Sequence, residues 1–173
     1  SEMKRVFQSH LISTASSKER LESLSYEVSR APRNSPATFL ETLVNNDIAA
    51  LNDLKNSISS EAIEQAVTLL QEAETIYVLG QLRSFSVAYN IRYLLLYLRQ
   101  NVRLLDGSGG LATEEAELMS EKSLLVAVSF RYYAREVVDI VEGTARKNIP
   151  ILAITDSQLS PLNKHATCSL VVP

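Results

Sequence analysis

The chain has 173 residues, 46% of them apolar and 21% charged, with a net charge of −3. That is enough chain for one domain with an additional segment, and the balance is ordinary for a soluble globular protein. It excludes a strongly basic nucleic-acid-binding surface, a membrane-length apolar run and a disulfide framework, since Cys168 is the only cysteine.

The absence of a signal peptide and of paired cysteines predicts a reducing, cytoplasmic setting. The charge is mildly asymmetric, with six Lys or Arg against four Asp or Glu in residues 1–36, and eleven against sixteen in the remainder. The chain opens in mid-helical pattern at SEMKRVFQSHL and stops just after an apolar run, Ser169–Val172, so both ends read as cuts in a longer protein. Because a parallel sheet needs helices on both faces, a covering C-terminal helix is expected to follow.

Residues 3–28 carry a weak helical pattern, and Arg30–Pro36, with two prolines, reads as a linker. Thr38 and Glu41 have capping-box spacing, which predicts Thr38 as the cap of a helix bearing Phe39, Leu40, Leu43, Val44, Ile48, Leu51 and Leu54 on one face. Ser59 or Ser60 is expected to begin another helix that runs to about Leu70. Five short apolar runs follow: Thr75–Leu79, Val102–Leu105, Leu124–Ser129, Ile151–Thr155 and Cys168–Val172. Helical or polar stretches separate them, Phe85–Leu98 being the clearest. This alternation predicts an α/β fold with a five-stranded parallel sheet and helices on both faces, preceded by N-terminal helices. Several of the runs lack polar alternation, as strands buried on both faces should.

In an open α/β sheet ligands bind beyond the carboxyl ends of the strands, so the loops there carry the candidate chemistry. Gly80-Gln81-Leu82-Arg83-Ser84 leads straight into a helix. Ser84, at or near the N-cap, either caps that helix or joins the free N–H groups in holding an anion. Leu105-Asp106-Gly107-Ser108-Gly109-Gly110 has three glycines in four residues, open to unusual backbone angles. Glu114 and Glu115 follow it, as a general acid or base or as a solvated helix face. In Ser129-Phe130-Arg131-Tyr132-Tyr133-Ala134-Arg135-Glu136, Ser129 has a hydroxyl to cap the next helix, and Arg131 and Arg135 suit an anion bidentately. The alternatives there are Glu136 paired with an arginine, or tyrosines packed on a dimer partner. The loop after the fourth run offers Asp156 as a turn former, Ser157, Ser160, and Pro161 at a helix start. His165 has no partner at metal-ligand spacing, and no Walker loop, nucleophile elbow or dinucleotide fingerprint is present. Nothing points to a metal or a cofactor. Spacing alone gives an anion-binding α/β domain without an assigned reaction.

The segments IYVLGQLRS, NVRLLDGSGG, LLVAVSFRYYARE and ILAITDSQLSPL, in this order from about Ala73 to Pro173, resemble the SIS (sugar isomerase) domain. The resemblance is to its version in RpiR-type bacterial transcriptional regulators. It implies a flavodoxin-like strand order, with the first and third loops side by side at the switch point. It divides the chain into a helical linker, residues 1–36, and a sugar-binding domain, residues 37–173, with the tail of a helix-turn-helix head at Ser1–Arg5 and DNA reached only through that head. It also implies a homodimer that senses a phosphosugar or another small anion and is not an enzyme. The rival readings are a phosphosugar isomerase using Glu114 or Glu115 with His165, and a dimerisation module with a degenerate pocket.

Carried over position by position, the resemblance assigns ligand contact to Ser84, Ser129, Asp156 and Ser157. Gly80, Arg83 and Arg131 complete the expected ligand-binding set. The chain departs from the family pattern at Leu82, where a second glycine is typical, and at Arg131, Tyr132 and Ala134, where Ser, Gly and Thr are typical. Three readings of this loop stand side by side: Arg131 and helix N-termini hold a phosphate in place of the hydroxyls, the effector carries a carboxylate instead, or the tyrosines fill a shrunken pocket. Tyr89, Tyr93 and Tyr97, apolar positions that look exposed, lend the dimer slight support; the alternative is that they face the core, as tyrosines at helical spacing more often do.

Overall fold

A computed structural model describes residues 36–98 and 100–172. The expected helical pair within residues 3–28, the linker and the trace of a DNA-binding head lie outside these residues. The described chain divides into two compact units at Asn56/Ser57, each taken by itself.

The first unit contributes helix α1 (Pro36–Ser57). It starts two residues before the predicted cap, so Thr38 lies inside the helix and does not cap it. Pro36 fits the first helical position, where its fixed φ and missing N–H cost nothing. No residue of α1 is buried, and Phe39, Leu40, Val44, Ile48 and Leu51 are exposed.

The second unit runs α2 (Ser60–Glu72), β1 (Thr75–Gly80), α3 (Phe85–Tyr97), β2 (Val102–Leu105), α4 (Ala112–Glu117), β3 (Ser123–Val128), α5 (Arg135–Arg146), β4 (Ile151–Thr155) and β5 (Cys168–Val171). Ser59 caps α2, its hydroxyl accepting the Ala62 N–H at 3.2 Å. The five strands are all parallel in the order β2-β1-β3-β4-β5, with Leu79 paired to Ala127 and Gly80 to Val128 at the β1/β3 seam.

Successive side chains of a strand point to opposite faces, and here both faces are apolar. On one face Tyr77, Leu79, Leu125, Ala127, Ile151 and Ala153 pack with Ala112 and Ala116 of α4 and with Val137, Ile140 and Val141 of α5. On the other, Ile76, Val78, Leu124, Val126, Val128 and Leu152 pack with Ala66 of α2 and with Ala88 and Leu95 of α3. The central strands are therefore continuous apolar runs, while β2 and β5, at the edges, are only partly buried.

Crossovers in parallel sheets are right-handed. The chain moves leftward from β1 to β2 through α3 and rightward from β3 to β4 through α5. The loops that leave β1 and β3 thus part toward opposite faces, opening a crevice between two adjacent strand ends. Tyr89, Tyr93 and Tyr97 face outward, about half to three-quarters exposed, because Ala88 and Leu95 take the sheet-facing line of α3.

Candidate functional site

The crevice is bounded by residues 81–84 after β1 and residues 129–134 after β3, with the loops after β2 and β4 on either side. The β1 loop is a tight 3₁₀ turn, Leu82–Ser84, that runs directly into α3. Gly80 makes this possible: a Cβ there would sit 2.8 Å from the Ala88 Cβ and 2.8 Å from the Ser84 carbonyl oxygen. Leu82 holds φ +53°, so the backbone keeps a left-handed shape at the position where the family's glycine is typical. Ser84 occupies the N-cap position of α3 but makes no side-chain capping bond. It is buried beneath the turn, and Arg83 beside it is exposed.

After β3 the chain travels six residues before α5 starts at Arg135, with Ala134 at its N-cap. Ser129 therefore does not cap α5, contrary to expectation. It is buried as a continuation of the sheet, its N–H donating to Ile154 and its carbonyl accepting from the Thr155 hydroxyl at 2.8 Å. Arg131 follows, half-buried, at the crevice rim.

Asp156 is what shapes this loop. One carboxylate oxygen accepts the Arg131 backbone N–H at 2.9 Å and the other accepts the Tyr133 hydroxyl at 3.0 Å. Burial, and after it the bond to Asp156 and that residue's charge, push the Tyr133 phenol above its ordinary value. Asp156, expected to form a turn, instead ties the loop after β4 to the loop after β3 through its side chain. Ser157 is half-buried; its hydroxyl accepts the Leu159 N–H, and its carbonyl takes the Asn163 side-chain amide. Ser160 caps the 3₁₀ turn Pro161–Lys164.

A second cross-loop bond was not legible in the sequence: the Gln81 side-chain amide donates to Glu136 in the first turn of α5. The Gln81 amide nitrogen also lies 3.9 Å from where a Gly107 side chain would begin, so Gln81 reaches toward the β2 loop. Glu136 pairs with this glutamine rather than with an arginine, and Arg135 pairs with Asp139 at 3.6 Å. In the β2 loop Gly107, Gly109 and Gly110 all adopt positive φ. Asp106 accepts the Ser108 N–H at 2.8 Å, which, with Arg92 adding a smaller effect, holds its carboxyl below the ordinary range.

The fold therefore brings Gly80, Arg83, Ser84, Ser129 and Arg131 to the two loops of the crevice, and Asp156 and Ser157 to the adjoining one. It does not unite the acid and base of the isomerase reading. His165 precedes β5, at the amino edge of the sheet, with its Nε2 3.9 Å from Glu142, whereas Glu114 and Glu115 follow the β2 loop at the carboxyl edge. Among the described residues no three His, Cys, Asp or Glu gather as metal ligands. A separate hollow of about 210 Å³ lies between α4 and α5, lined by Glu117, Asp139, Gly143, Arg146 and Lys147. It is a cleft between helices, and the Lys147–Glu117 ion pair lines it.

A doubly wound parallel domain with its crevice at the β1/β3 switch point has the architecture in which open α/β sheets bind ligands. Residues 69–173 match the SIS domain, and the chain belongs to that family. Its likeness is to the regulator branch. The sugar isomerase domain of an RpiR transcription factor from Sphaerobacter thermophilus is 31% identical, with a TM-score of 0.73 over 76% of this chain and 73% of that one. HexR, an HTH-type transcriptional regulator of Pseudomonas aeruginosa, is 25% identical over 83% of this chain and 50% of its own length. NanR of Vibrio vulnificus, solved in complex with ManNAc-6P, shares the fold at 22% identity and a TM-score of 0.72, covering 87% of this chain and 55% of that one. The chain spans between a fifth and about half of the length of the curated relatives it matches. No described helix is long and apolar enough to cross a membrane.

Proposed function

We propose that this chain is the effector-sensing and dimerisation part of a transcriptional regulator. It binds a phosphosugar or a similar small anion and passes the binding to a helix-turn-helix head that contacts DNA. The observation that carries the reading is the crevice between the β1 and β3 loops, with Arg83 and Arg131 on its two sides. An anion there lies between two loops that each carry an arginine, beside the backbone of a tight turn, at the place where such sheets bind ligands. The relatives support the same reading, since NanR of Vibrio vulnificus is solved with a phosphosugar and HexR is a regulator. Gly80, Ser84, Ser129, Asp156 and Ser157 supply the shape of the site, and Arg131 grips the anion where the family has hydroxyls.

The role is binding without turnover. Isomerisation needs a base and an acid within reach of one substrate. Here Asp156 and Glu136 are held by Tyr133 and Gln81, and His165 sits at the other edge of the sheet. The test is thermal denaturation of the chain against sugar phosphates, sugar acids and free sugars, with an aldose–ketose assay alongside. A rise in midpoint with one phosphosugar and no turnover is the expected result, because a ligand that binds only the native state raises apparent stability. Turnover would establish the isomerase. A flat response to every anion would leave a dimerisation module with a degenerate pocket.

A further inference from the structure

We propose that the effector carries an apolar group, acyl or aryl, beside its anion, and that Leu82 and Tyr132 receive that group at the mouth of the crevice. The inference rests on the effector site proposed above and names the class of molecule that fills it. It starts from a residue that strains the fold and gives little back. Leu82 holds φ +53°, a left-handed conformation unfavourable for a residue with a Cβ and open to glycine. Its side chain is 80% exposed, so packing within the chain offsets little of that strain. Strained backbone of this kind clusters at ligand clamps, where the side chain serves something outside the chain.

Leu82 is not alone. Each loop that leaves the carboxyl end of β1, β2, β3 and β4 carries one exposed large apolar side chain, in turn Leu82, Leu111, Tyr132 and Leu159. Scattered singly such residues are ordinary, but these four gather at one edge of the sheet. In the two loops that bound the crevice, residues 81–84 and 129–134, the exposed residues are Leu82, Arg83 and Tyr132, and Arg131 is half-buried beside Tyr132. The polar side chains that a bare polyol would need are hidden or engaged. Ser84 and Ser129 are buried, the Tyr133 hydroxyl donates to Asp156, and the Gln81 amide donates to Glu136. The arginines therefore select an anion, and the two apolar side chains select what is attached to it. The register places them on either side of one small molecule. Gly80 and Val128 are paired on neighbouring strands, roughly 4.8 Å apart, and Leu82 and Tyr132 stand two and four residues beyond them as the loops part.

Isothermal titration of the whole chain with phenyl phosphate and with glycerol phosphate tests this. Both are phosphate monoesters, and they differ in having an apolar or a polyol tail. Burying one leucine-sized apolar group raises affinity roughly ten- to a hundredfold, so phenyl phosphate is expected to bind tighter by about that ratio. In Leu82→Gly, which relieves the left-handed backbone and so folds, the ratio is expected to fall roughly threefold or more. Tyr132→Ala is the second variant and should lower the ratio in the same way. Leu118→Ala is the control: that residue is exposed too, but it lies in the turn before β3, at the opposite edge of the sheet, and the wild-type ratio should persist. Equal affinities in the wild type would overturn the inference and leave the effector site standing. So would a ratio that survives both crevice variants, or one that falls as far in Leu118→Ala. Binding of neither probe would overturn the site and the inference together.

Discussion

Asp156 joins two loops through two donors, and removing it should unfasten the rim of the crevice. Hydrogen bonds to a charged group contribute about 1.5–3 kcal/mol net each. Asp156 is half-buried, so the lower figure applies to both, and Asp156→Ala is expected to cost about 3 kcal/mol. Tyr133→Phe deletes one of the two bonds and should cost about 1–1.5 kcal/mol. Asp156→Asn keeps one acceptor oxygen and should fall between the two. Urea denaturation followed by circular dichroism reads all three. Ultraviolet pH titration adds an independent check: in Asp156→Ala the Tyr133 phenol should ionise at lower pH than in wild type. It should stay above the ordinary phenol value, because burial is the first cause of its shift. Ionisation of Tyr133 lies in the alkaline range, so this bond's stability is fully present at neutral pH and is lost only as pH climbs through the raised value. An Asp156→Ala variant within about 0.5 kcal/mol of wild type would show that the loops do not depend on this carboxylate.

Three further outcomes follow from the same geometry. Gly80→Ala overpacks α3 against β1; the clash costs about 1–3 kcal/mol, only partly offset by the stiffer unfolded chain, and a denaturation midpoint below wild type checks it. Leu82→Gly relieves a left-handed backbone costing about 1–2 kcal/mol in a non-glycine residue; because Leu82 is exposed, the same assay should show no loss, or a gain of up to about 1 kcal/mol. Asp106 has its pKa lowered by Ser108, so its contribution is present above the ordinary carboxylate range and is lost as pH falls through the lowered value. The stability gap between wild type and Asp106→Ala should accordingly close in acid, as measured by urea denaturation at stepped pH.

The sheet was legible because β1, β3 and β4 are buried on both faces and read as unbroken apolar runs. The parallel order came from the family resemblance, since no local pattern tells which strands are neighbours. The caps were less legible. A hydroxyl before an apolar helix looks like a cap whether or not the chain turns in time to use it. At Ser84 a 3₁₀ turn intervenes and buries the side chain, and at Ser129 the helix begins six residues later. The bonds that shape the crevice join residues 55 and 23 positions apart, Gln81 to Glu136 and Tyr133 to Asp156, and periodicity carries no trace of them. The tyrosines of α3 show the other limit. Spacing of four says that they share a face, but only the buried positions of Ala88 and Leu95 say which way it points.

An anionic effector is proposed to bind in the crevice between the β1 and β3 loops. Backbone amide shifts of isotope-labelled chain, titrated with ManNAc-6P and separately with inorganic phosphate, test it most directly. Saturable shifts are expected, concentrated in Gly80–Ser84, Ser129–Tyr133 and Asp156–Ser157, and lost for both probes in Arg131→Ala. Shifts confined to the cleft between α4 and α5, or none at any concentration of either probe, would contradict it.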